Sequence, residues 1–81
     1  MSGYDVLHWV RATPFVPFRI RLNSGRTYDV RHSEMVKVSH TQVLVFTYDG
    51  GNEDLVEKVE MVGLQLVEAI EPLKPARSQK K

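Results

Sequence analysis

From Phe18 to Leu22 the chain alternates strictly, with Phe18, Ile20 and Leu22 interleaved by Arg19 and Arg21. A period of two is the spacing of a strand with one buried and one wet face, so this stretch commits the chain to sheet structure. Asn23-Ser24-Gly25-Arg26 then reads as a tight turn, because Gly25 accepts the positive φ that a short hairpin demands. Alternation resumes with Tyr28 and Val30 inward and Asp29 and Arg31 outward. His32-Ser33-Glu34 interrupts it as a bulge or bend, and Val36 and Val38 continue in phase. After a turn at His40-Thr41-Gln42, the run Val43-Leu44-Val45-Phe46-Thr47-Tyr48 is the most apolar of the sequence. Its β-branched and aromatic content predicts a central strand.

Asp49-Gly50-Gly51-Asn52-Glu53-Asp54 reads as an exposed acidic hairpin loop. Its glycines are not followed by a helix and are flanked by acids, which excludes a phosphate-binding loop. Leu55 to Met61 carries both helical and strand periodicity; we take Glu57 to Val62 as strand, because Gly63 falls inside the pattern and Val59 and Met61 alternate with polar residues. Leu64-Gln65-Leu66 is a short turn, and Val67 to Glu71 a last strand ended by Pro72. At the other end, Ser2 followed by Asp5, Val6, Leu7 and Val10 predicts a capped amphipathic helix over residues 3–12, closed by Thr13-Pro14. A helix of about two turns is not stable alone, so its apolar face must lie on something else. The connector Pro14-Phe15-Val16-Pro17-Phe18 is extended.

Eighty-one residues with 42% hydrophobic and 26% charged composition describe one small globular domain, here placed at residues 1–72, with a flexible basic tail over 73–81. The sequence has no cysteine, which removes disulfides, thiolate metal sites and cysteine nucleophiles together. A core of this size supplies little stability on its own, so oligomerisation is the expected support. No apolar run approaches the length needed to span a bilayer and Met1-Ser2-Gly3-Tyr4-Asp5 is not a basic leader, so no membrane association and a cytoplasmic location are expected. One short helix followed by about five short strands joined by tight turns predicts a mainly β fold, a small five-stranded closed or nearly closed barrel. Closure would remove the edge strands that an open sheet exposes.

This order of elements resembles the Sm-like fold, a bent five-stranded barrel behind an N-terminal helix that is found in the bacterial Sm-like RNA chaperone, and more broadly the SH3-like barrels. The residues that carry the resemblance are Ile20-Arg21-Leu22-Asn23-Ser24-Gly25-Arg26, like the first strand and turn of that fold, and Val67-Glu68-Ala69-Ile70-Glu71-Pro72, like its last strand. Where those chaperones carry a Lys-His pair between the last two strands, this chain has Gly63-Leu64-Gln65-Leu66, without a cation. After the second strand it has His32-Ser33-Glu34 where Sm proteins present Asp and Asn to a base. The segments Ala12-Thr13-Pro14-Phe15-Val16-Pro17-Phe18, Gly25-Arg26 and His32-Ser33-Glu34 also resemble a family of small uncharacterised bacterial proteins with an Ala-Thr-Pro-Phe-x-Pro-Phe pattern, a resemblance that implies no activity.

Charge is unevenly distributed. Six bases face three acids from Met1 to His40, one base faces seven acids from Thr41 to Pro72, and the last nine residues add four bases, Lys74, Arg77, Lys80 and Lys81. Arg19, Arg21, Arg26 and Arg31 lie on one strand face and its neighbouring hairpin, and are the candidate patch for nucleic acid or a partner, with Tyr28 and Phe15 as candidate stacking surfaces. Set against that is the plainer reading in which the same arginines pair with Asp29, Glu57, Glu60 or Glu68 across strands. Trp9, Phe15 and Phe18 sit at the join of helix and sheet, either as core or as an interface. His8, His32 and His40 have no ligand spacing, so no metal or cofactor is expected, and His32-Ser33-Glu34 is no catalytic relay, because neighbours on a strand point to opposite faces. The reading is a non-catalytic binding or assembly module, self-associating or engaging a protein partner. RNA or other nucleic-acid binding through the arginine face is the alternative.

Overall fold

Ser2 caps the N-terminal helix α1 (Gly3–Val10) with a reciprocal pair of bonds, its Oγ accepting from the Asp5 N–H and its own N–H donating to the Asp5 carboxylate at 3.0 Å. The computed structural model describes residues 1–49 and 52–73, excluding the side chains of Asp49 and of residues 52–56. The helix ends two residues short of the expected limit, with Arg11 as its C-cap donating to the Leu7 carbonyl at 2.8 Å. Among the described residues six strands follow: β1 (Phe18–Leu22), β2 (Thr27–Val30), β3 (Val36–Val38), β4 (Gln42–Asp49), β5 (Asn52–Gly63) and β6 (Val67–Pro72). Single 3-10 turns at Ser33–Met35 and Leu64–Leu66 join β2 to β3 and β5 to β6. Gly25 takes φ +98° in the β1–β2 hairpin, where the turn closes by Gly25 N–H to Leu22 carbonyl at 2.9 Å.

The expected closed five-stranded barrel is not what forms. Among the described residues the strands make two antiparallel three-stranded sheets, β2-β1-β6 and β3-β4-β5. The reason lies at His32-Ser33-Glu34, where the interruption is a full 3-10 turn; it divides the expected second strand into β2 and β3 and delivers the halves to different sheets. The turn Leu64–Leu66 does the same between β5 and β6, so edges remain that closure would have removed. The acidic loop is also shorter than expected, since β4 runs to Asp49 and β5 begins at Asn52. Gly50, Gly51 and the basic tail from Lys74 onward lie outside the described residues. The ambiguous stretch from Leu55 to Met61 is strand throughout, and β4 is the central strand of its sheet.

Alternation decides what fills the space between the sheets. Phe18, Ile20 and Leu22 from β1 meet Val43, Val45 and Val62 from the second sheet, with Val30, Val36, Leu64 and Val67 completing the core and Val6 reaching it from the helix. Phe18 is fully buried at the join, with Trp9 and Phe15 against it at ring-centroid distances of 5.6 and 5.9 Å. This cluster, one of the two roles expected for it, is the joint between helix and sheets. No described helix is long and apolar enough to cross a membrane.

Candidate protein-binding surface

The outer face of the second sheet is built by the same alternation that fills the core. Val43 and Val45 point inward, so Leu44 and Phe46 point out; register places Leu44 beside Met61 and Phe46 beside Val59. Neither Leu44 nor Phe46 belongs to the core or to the residues packed on it. Val59 and Met61 are 49% and 62% exposed. Leu66 extends the surface: it is 49% exposed, and its side chain lies 3.9 Å from where a Cβ on Gly63 would stand, on the side opposite the buried Val62. Five apolar side chains on β4, β5 and the turn after β5 thus make one contiguous outward surface. β5 is moreover an edge strand, paired on one side by β4 alone among the described residues.

This surface was only half legible in the sequence. The run Val43 to Phe46 is apolar at every position, the pattern of a strand buried on both faces, and Val59 and Met61 read as the apolar half of an alternation. What the pattern does not reveal is that Leu44 and Phe46 end half-buried while Val59 and Met61 beside them are exposed.

The arginine face is organised differently. β1 pairs with β2 and β6 so that Arg19 stands beside Asp29 and Glu71, and Arg21 beside Thr27 and Ala69. Arg19 Nε donates to Asp29 Oδ1 at 2.8 Å, and Arg31 Nη2 lies 3.6 Å from the other oxygen of Asp29. A register shift between Arg21 and Leu22 leaves Glu68 as the extra residue of β6, and Arg21 sits between Glu68, at 3.8 Å, and Glu71, which its guanidinium contacts. Arg26 is separate from these: it bridges the sheets to Glu60 at 2.9 Å, with its guanidinium carbon 5.4 Å from the centre of the Tyr28 ring. Each of the four cations therefore meets a carboxylate. Tyr28 carries the Arg26 guanidinium over its ring, and Phe15 packs on Phe18, so neither is a free stacking platform.

These pairs leave a mark on titration. The hydrogen bond from Arg19 holds the Asp29 carboxyl below its usual range against the opposing effect of burial, and the charges of Arg19 and Arg31 add smaller pulls in the same downward direction. The phenol of Tyr28 is pushed up by burial and then by Glu60. Because the folded pKa of Asp29 is depressed, its contribution is present above the ordinary carboxylate range near pH 4 and is lost as pH falls through the lower, folded value. Asp29→Asn is expected to cost a few tenths to about 1 kcal/mol at pH 7, since the pair is partly exposed and screened. Urea midpoints at pH 7 and pH 2.5 check this: the difference between wild type and variant should shrink at the lower pH, and an equal difference at both would remove the ion pair as its cause.

His8 lies on the helix, His32 before the first 3-10 turn and His40 in the turn between β3 and β4. Among the described residues no three His, Cys, Asp or Glu side chains gather as a metal site. Geometry defines a class, a small mainly β chain of two three-stranded sheets with a helix packed against their shared core. No family model, curated protein or solved structure matches the chain.

Proposed function

We propose that this chain is a non-catalytic binding module that assembles with protein through the outer face of β3-β4-β5. The observation that carries the reading is the contiguous apolar surface of Leu44, Phe46, Val59, Met61 and Leu66, lying outside the core. Burying it against another protein recovers the hydrophobic free energy that the isolated chain leaves in water, at about 25 cal/mol per Å². A small core without crosslinks gains most from such support. The arginine face favours the alternative of RNA binding less, because a phosphate would have to displace Asp29, Glu60, Glu68 or Glu71 to reach a guanidinium.

The Sm-like or SH3-like fold remains our proposal for the ancestry of the architecture. Taking β2 and β3 as one strand bent at Ser33–Met35 puts the strands in the order β6-β1-β2/β3-β4-β5, a five-membered sheet wrapped around one core. That order is what supports it.

A photo-crosslinking amino acid placed at position 61, compared with one at position 68 on the other sheet, tests the docking surface in living cells. The expected result is a protein adduct from position 61 and none from position 68. Adducts to nucleic acid alone, or equal protein adducts from both positions, would overturn the reading.

A further inference from the structure

Two hydrogen bonds fix which main-chain groups β5 turns to its open side. Leu64 N–H donates to the Thr41 carbonyl at 2.9 Å, which makes Thr41 and Leu64 a bonded pair at the end of the β4–β5 ladder. Bonded and non-bonded pairs alternate along an antiparallel ladder, so Val62, Glu60 and Lys58 turn their N–H and C=O groups toward β4. Those of Val59 and Met61, with the Gly63 N–H, turn the other way. From the far side of β4, Ser39 N–H donates to the Gln42 carbonyl at 2.8 Å; this makes Lys37 and Leu44 a bonded pair and leaves Leu44 nothing for Met61. Both sides of β4 give the same phase.

Register is unbroken from Lys58 to Gly63 and shifts just before it, where Glu57 is the extra residue between Val56 and Lys58. The regular edge is therefore Val59, Met61 and Gly63. Among the described residues no other strand offers as much. β2 turns out only Thr27 and Asp29, its phase being set by Leu22 N–H on the Arg26 carbonyl. β3 turns out Val36 and Val38, and the Val36 N–H is already given to the Ser33 carbonyl. β6 turns out Ile70 and Pro72, since Leu73 N–H on the Pro17 carbonyl sets its phase, and proline has no N–H to give. The edge that matches β5 in length and phase is β5 itself.

We infer that β5 pairs with β5 of a second copy, antiparallel about a two-fold axis at Met61, joining the two sheets into one that runs β3-β4-β5-β5-β4-β3. This contact is separate from the face proposed for docking, which stays outward and doubles in width. Centring on Met61 sets Met61 opposite its counterpart and Val59 opposite Gly63 of the second copy, for about four main-chain hydrogen bonds. Gly63 leaves room for this: the nearest atoms to a Cβ there would be those of Leu66 at 3.9 Å, so Val59 of the second copy lies in open space beside Leu66. On the inner side Glu60, held by Arg26 at 2.9 Å, faces Val62 of the second copy, and Lys58 faces Leu64. No like charges stand directly opposite. Centring on Glu60 would oppose two carboxylates, centring on Val59 would carry the ladder across the shift at Glu57, and centring on Val62 would leave Val59 unmatched.

Sedimentation equilibrium on the purified full-length chain, with circular dichroism as the control for folding, should give twice the mass of 9.3 kDa. Met61→Ser keeps the main-chain N–H and should leave that mass unchanged. Met61→Pro removes an N–H that β4 does not use, and should weaken association about tenfold or more in a folded chain. Single cysteines keep the test decisive if the proline variant does not fold, since the sequence has none of its own. Met61→Cys should form an intermolecular disulfide on mild oxidation, because its Cα atoms stand about 5.5 Å apart, within disulfide reach. Val59→Cys, with Cα atoms about 14 Å apart, should not.

Each failure has its own reading. A folded Met61→Pro protein that still dimerises, or a disulfide from position 59 as readily as from 61, would overturn the paired edge. A dimer lost with Met61→Ser would move the contact to the outer face, overturning the edge pairing and keeping the docking surface. Wild type sedimenting as a monomer at all concentrations would overturn the second copy, while the crosslink from position 61 decides the outer face.

Discussion

Replacing Phe18 with alanine is expected to lower the unfolding free energy by about 3–5 kcal/mol, the largest effect of any single truncation in this chain. Three features converge on this side chain. It is the largest fully buried one among the described residues, it lies at the start of β1 opposite Val30 and Pro72, and it receives the rings of Trp9 and Phe15. Truncation therefore leaves a cavity at a point where helix, connector and first sheet meet, and removes tilted aromatic pairs worth about 0.5–1.5 kcal/mol beyond their area. A single core of this size rarely supplies more than about 3–5 kcal/mol in total, so the variant should be largely unfolded at 37 °C. Urea denaturation followed by circular dichroism measures the loss. Phe18→Leu, which keeps most of the apolar volume, should lose distinctly less, and a loss below about 1 kcal/mol for alanine would show that the joint lies elsewhere.

Gly3→Ala is expected to destabilise the protein by about 1–2 kcal/mol, although alanine is the better helix former. A Cβ on Gly3 would stand 2.8 Å from the carbonyl oxygen of Ser39 and 3.4 Å from Cγ1 of Val38. Ser39 has little freedom to retreat. Its N–H donates to the Gln42 carbonyl at 2.8 Å, and its Oγ accepts from the Gln42 N–H at 2.9 Å and from the Thr41 N–H at 3.3 Å. The helix must move instead, and moving it disturbs the burial of Val6 and the contact of Trp9 with Phe18. For a domain of this length the shift in Tm is about 4–8 °C per kcal/mol. Trp9 reports the displacement independently: its fluorescence should move to longer wavelength in the folded variant as the ring becomes wetter. A variant more stable than wild type would mean that the Ser39 turn yields and that helix propensity decides the sign.

The two substitutions probe the interior, and the surface proposed for docking is independent of both. Val59, Met61 and Leu66 contribute to no core contact that Phe18 or Gly3 supports. A Met61→Ser protein should accordingly keep its urea midpoint while losing the adducts that the proposed surface is expected to give.

Much of the architecture was readable before any coordinates. Alternation at Phe18-Ile20-Leu22, the Gly25 turn, the Ser2-Asp5 capping box and the strand ended by Pro72 are local patterns, set by backbone sterics and by hydrogen bonds within a few residues, and each formed where expected. So did the pairing of arginines with Asp29, Glu60 and Glu68 across strands, since opposite charges on facing strands are neighbours once the register is known. Local patterns do not say which strands share a sheet. His32-Ser33-Glu34 looked like a bulge within one strand, and only tertiary packing made it a 3-10 turn that sends Val30 and Val36 to opposite sheets of one core. Nor does an apolar run distinguish two buried faces from one: the outward Leu44 and Phe46 depend on which elements finally cover β4. The sequence alone determined the strands, the helix and its cap. Which apolar faces were enclosed and which left outward was decided by the long-range pairing of β4 with β5 and by the helix lying elsewhere, a choice made by burial across the whole chain.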